Sequence, residues 1–65
     1  MDSMEKAKKR LEHWIGHNEQ HCEEYEKFAQ ELEKDGHVEG AAFIREIVPL
    51  TKRATEFMQK ALDAL

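Results

Sequence analysis

The chain has 65 residues, with 10 basic against 14 acidic side chains and a formal net charge of −4. That length makes one small domain, spanning residues 1–65, whose own core supplies only a few kcal/mol without a staple or a partner. The acidic balance argues against a nucleic-acid surface. The single cysteine, Cys22, excludes an internal disulfide and points to a reducing, cytoplasmic setting. No apolar run approaches the roughly 20 residues of a membrane span, and no signal-peptide core is seen.

Asp2 and Ser3 are N-cap types, and Asp2 with Glu5 approximates a capping box, so a first helix is expected from about residue 3. The cluster Lys6, Lys8, Lys9 and Arg10 has no interleaved aromatics and reads as a solvated helix face. Met4, Ala7, Leu11, Trp14, Asn18, His21, Tyr25, Phe28 and Leu32 then alternate steps of three and four, a heptad seam. Gly36 can take the left-handed conformation that ends helices, which places the stop near residue 34, and Asp35 or His37 can cap the next helix.

A second helix, about 38–64, carries an apolar stripe through Ala41, Ile44, Val48, Thr51, Thr55, Met58 and Leu62. An adjacent stripe through Phe43, Ile47, Leu50, Ala54, Phe57 and Ala61 makes this face wider than one partner helix covers. Pro49 removes one helical hydrogen bond and predicts a kink. Two long helices and a short turn give an all-α antiparallel hairpin, and its uncovered apolar face predicts a homodimeric four-helix bundle.

A hairpin folded about Gly36 sets opposite one another residues whose numbers sum to about 72. Asn18 and His21 then meet Thr51 and Thr55 in one polar layer of an otherwise apolar seam. Such a layer fixes register in a purely structural dimerisation or adaptor module. It also suits a metal. His17 and His21, spaced i, i+4, present two imidazoles to one ion, with His21 expected to point inward. His13 lies roughly 12 Å of helix rise from His21, too far to share that ion, and falls on the outer side. Glu24 and Cys22 are further candidate ligands, and Asn18 a group orienting an imidazole. A two-fold partner can supply the same pair, giving nitrogen ligands for zinc, nickel or cobalt.

Other residues read more plainly. His37, in the turn, is a capping or solvated residue, and the aromatics follow the core stripes. A phosphate loop, a Cys-x-x-Cys pair and the Glu-x-x-His pairs of di-iron bundles are all absent, which argues against an enzyme.

The segment from Leu11 to His21 resembles short uncharacterised helical-hairpin domains of archaea and anaerobic bacteria with a His-Trp-Ile-x-His-Asn-x-x-His motif. The resemblance implies that His13, Trp14, His17, Asn18 and His21 are a family signature. It also implies a role beside nickel- or cobalt-handling proteins. Gly16 stands where the resemblance leads one to expect a charged residue.

Overall fold

A computed structural model describes residues 2–65. Two helices, α1 (Ser3–Lys34) and α2 (Val38–Ala64), form the expected hairpin. The start of α1 is capped as its residues dictate, with the Asp2 carboxylate accepting from the Glu5 N–H at 2.8 Å. Its end is a Schellman motif: His37 N–H donates to Leu32 C=O at 2.8 Å, and Gly36 N–H to Glu33 C=O at 3.0 Å. This geometry needs a left-handed residue, and Gly36 supplies φ +85°. His37 occupies the N-cap of α2 without a side-chain capping bond, so neither its ring nor the Asp35 carboxylate plays the capping part expected. Pro49 sits inside α2 without ending it.

The expected register holds. Asn18 lies level with Thr55, Cys22 with Val48 and Glu26 with Arg45, each pair within two of a sum of 72. The face that α1 turns to α2 differs from expectation. Ile15, Cys22 and Ala29, rather than Trp14, His21 and Phe28, complete the seam with Leu11, Asn18, Tyr25 and Leu32. Each exchanged residue is one position, about 100°, from the one it replaces, and because four members are shared the face as a whole turns by only about 40°, so periodicity alone barely separates the two stripes. Size decides. Ala29 and Ala41 are both fully shielded, and with Cys22 and Val48 they form the buried core. Small residues let the backbones approach, whereas Trp14 and Phe28, each nearly half exposed, turn outward.

The result is a thin rod of 51 × 18 × 10 Å with a radius of gyration of 15.3 Å. A compact chain of this length has a radius near 11 Å. Among the described residues no large side chain is fully buried.

Candidate functional site

The hairpin has two unlike flanks. On one, Arg45 bridges the helices through Glu33 and Glu26, with its Nε 3.5 Å from Glu26 Oε2. The hydrogen bond to Glu33 raises the guanidinium pKa, desolvation opposes it, and the charge of Glu33 with the hydrogen bond and charge of Glu26 add to the rise. On this side a groove runs over Ile15, Cys22 and Val48, with Glu19, Glu23 and Lys52 along it. This clamp is only partly legible in the sequence: Arg45 and Glu26 sum to 71, close to the pairing sum of 72, whereas Glu33 lies two helical turns beyond Glu26 and is reached by the length of the Arg45 side chain.

The opposite flank is apolar. Phe43 (74% exposed), Leu50 (70%), Phe57 and Ile47 from α2 stand there with Trp14 and Phe28 from α1. His17 and His21 share it, since positions 14, 17, 21 and 28 fall on one side of a helix. The four-residue spacing produces a ladder of rings. Centroids of His13 and His17 lie 4.4 Å apart, those of His17 and His21 5.6 Å, and those of His21 and Tyr25 6.0 Å.

His21 therefore does not point inward. Its side chain is 46% exposed, at the border between the seam and the apolar flank. Its Nδ1 is 3.1 Å from Glu24 Oε2. A carboxylate only accepts, so Nδ1 carries the proton and donates, and in the neutral ring the lone pair is then on Nε2. That is the arrangement in which an outer carboxylate fixes the tautomer of a metal-binding imidazole. Glu24 thus meets the ring of His21 through one carboxylate oxygen, Oε2. His17 is exposed one turn away, its ring nearly perpendicular to that of His21 at 70°.

The remaining expected participants lie elsewhere. Asn18 is turned into the seam, its Nδ2 donating to Thr55 Oγ1 at 3.2 Å and approaching Met58 Sδ at 3.6 Å, so it orients no imidazole. Thr55 in turn donates to Thr51 C=O at 2.9 Å. The polar layer is therefore Asn18 with Thr55 and Thr51, without a histidine at its centre. Cys22 is buried, its thiol 3.8 Å from Val48 C=O and away from the histidine flank. His13 stands on the outer side, as expected, and reaches the others only through the ring stack. Among the described residues no group of three or more His, Cys, Asp or Glu side chains is placed to hold a metal. Nor is any helix among them long and apolar enough to cross a membrane.

A family model described as a domain of unknown function, DUF8180, matches residues 7–65, taking in all of α2, α1 from its second turn onward and the ring ladder. The chain belongs to the DUF8180 family. It is also similar to an uncharacterized protein of Archaeoglobus fulgidus, with 33% identity over 60 residues, 92% of this chain and 95% of the relative. No solved structure matches the chain. The DUF8180 match runs from Ala7 to Leu65, so the apolar flank and the seam are both properties of the matched region.

Proposed function

We propose that this DUF8180 domain is a non-enzymatic, cytoplasmic metal-binding module. His17 and His21 of α1 hold a divalent transition ion, zinc, nickel or cobalt, in a storage, accessory or sensing role. The observation that carries the reading is the His21–Glu24 pair, which leaves Nε2 free beside His17 on an exposed flank. Two imidazoles make an incomplete ligand set, and the others come from a second copy in a homodimeric four-helix bundle. The stretch His13-Trp14-Ile15-x-His17-Asn18-x-x-His21 is the family signature in this reading. Its histidines serve the metal and Asn18 serves the seam.

The experiment is titration of the purified protein with Zn²⁺, Ni²⁺ and Co²⁺ by calorimetry, in the native sequence and in His21→Ala. Micromolar or tighter binding that the substitution abolishes supports the reading. Binding no tighter than that of isolated surface histidines, or equal binding in the variant, overturns it.

A second reading rests on a different observation, the Asn18–Thr55 bond in the middle of the seam. It makes the domain a structural dimerisation module whose polar layer sets register and which binds no ion.

A further inference from the structure

The exposed surface of the hairpin is 5155 Å². A compact protein of 7.6 kDa exposes about 4,300 Å², so roughly 850 Å² stands uncovered in excess. A standard interface buries about 800 Å² on each partner. The excess is of the size that one further copy of the hairpin would cover, and the apolar flank, with Phe43, Leu50, Phe57, Trp14 and Phe28 exposed, is the surface that offers itself.

Three features share one level along the rod. Asn18 and Glu19 stand at the midpoint of α1 and Thr51 at the midpoint of α2. His17 and His21 are centred on position 19, and the stripe from Phe43 to Ala61 is centred on position 52. Positions 19 and 52 face each other at the hairpin's own register, as Cys22 with Val48 and Glu26 with Arg45 do. We infer that a two-fold axis crosses the rod at this level, perpendicular to the helices. Each copy's α1 then lies antiparallel on the other's α1, and the two His17–His21 pairs close one four-nitrogen site. The inference rests on the metal reading above and adds the direction of the two-fold axis and the residues that meet across it.

Side-chain size and charge favour this axis. On α2, Phe43 meets the partner's Ala61, Leu50 meets the partner's Ala54, and Ile47 meets the partner's Phe57. Large residues thus face small ones at two of three steps, the interdigitation a close-packed interface needs. Phe57 stands at the rim, with the Arg53 guanidinium 5.3 Å and the Lys60 ammonium 5.4 Å from its ring centre. On α1, the basic end at Lys6 and Arg10 is brought level with the partner's Glu31. Arg10 arrives level with the exposed ring of the partner's Phe28. At the centre, His17 meets the partner's His21. The same axis thus gives full overlap of the rods, opposite charges at their ends and four imidazoles in the middle. A two-fold parallel to the helices would instead lay α1 on the partner's α2 and leave the two histidine pairs apart.

The test has two arms. In the first, Leu50→Glu and Ala54→Lys are made separately and examined alone and mixed, by light scattering and circular dichroism, at a concentration where the native chain is dimeric. Each variant alone is expected at half the native mass, because a charge is buried opposite an apolar residue. The equimolar mixture is expected to regain dimer mass and full helicity, because the carboxylate introduced in one chain meets the ammonium introduced in the other. Variants that dimerise unaided, or a mixture that stays monomeric, overturn the axis; so does a native chain that is monomeric. The second arm counts Co²⁺ by its visible spectrum. One ion for every two chains, with the strong absorption of a tetrahedral site, is expected, and one ion per chain overturns the shared site. A protein that passes the first arm yet binds no Co²⁺ loses the metal reading and the four-nitrogen site, and keeps only the pairing.

Discussion

Asn18 Nδ2 donates to Thr55 Oγ1 across 3.2 Å, and Thr55 passes the bond on to Thr51 C=O at 2.9 Å, one polar chain spanning both helices at mid-rod. Removing Asn18 leaves Thr55 still bonded, so no orphaned hydroxyl remains. Asn18→Ala is expected to cost only about 1 kcal/mol by denaturant unfolding. Asn18→Leu, which fills the seam with apolar volume, is expected to unfold at higher denaturant and to lose its single oligomeric state on a sizing column. A uniform, well-defined dimer of Asn18→Leu would remove any register role for this layer.

Gly16, within α1, and Gly36, just past its end, respond oppositely to substitution. A Cβ at Gly16 meets nothing within 4 Å, so Gly16→Ala is expected to gain about 0.5–1 kcal/mol by lowering unfolded-chain entropy. Gly36, at φ +85°, has equal room but the wrong backbone for an L side chain. Gly36→Ala is expected to lose about 1–2 kcal/mol. Thermal midpoints moving in opposite directions verify the pair, at roughly 4–8 °C per kcal/mol for a domain of this size.

Glu24 touches no ion in the proposed site, yet it decides which nitrogen of His21 is free. Glu24→Ala is expected to weaken Zn²⁺ binding by about 10- to 100-fold while leaving the dimer intact. Competition with a colorimetric chelator measures the first and light scattering the second. Unchanged affinity would mean that the 3.1 Å contact to His21 Nδ1 is a surface ion pair and nothing more.

Trp14 is the only tryptophan and is 46% exposed on the apolar flank. Its fluorescence therefore reports the covering of that flank. On raising the concentration through the micromolar range, the emission maximum is expected to shift to shorter wavelength in step with the mass. An emission maximum independent of concentration while the mass doubles would place the interface on the groove side, over Cys22 and Val48.

Most of the architecture is written locally. Asp2 and Glu5 start α1, Gly36 ends it, and two apolar stripes with a short turn leave only a hairpin whose pairing sum follows from the turn's position. What the pattern does not contain is the rotation of α1 about its own axis. Trp14, His21 and Phe28 differ from Ile15, Cys22 and Ala29 by a single step, and both sets satisfy a three-four spacing. The choice falls to the small size of Cys22 and Ala29, which a count of apolar positions weighs less than the bulk of Trp14 and Phe28. That one rotation moved His21 from the seam to the flank and left Asn18 alone with the threonines. The His17–His21 spacing was legible from the start. The contact of Glu24 with His21 Nδ1 needed the rotamer of His21.

Among the described residues only Ala29 and Ala41 are wholly shielded within a single hairpin, so the isolated chain has little reason to stay folded. If the second copy provides most of the burial, folding and association become one bimolecular event, and the folded fraction depends on how many copies a cell holds. Scarce chains would melt and be cleared, while abundant ones would protect one another. Abundance itself would then set a threshold, with a bound ion lowering the number of copies required.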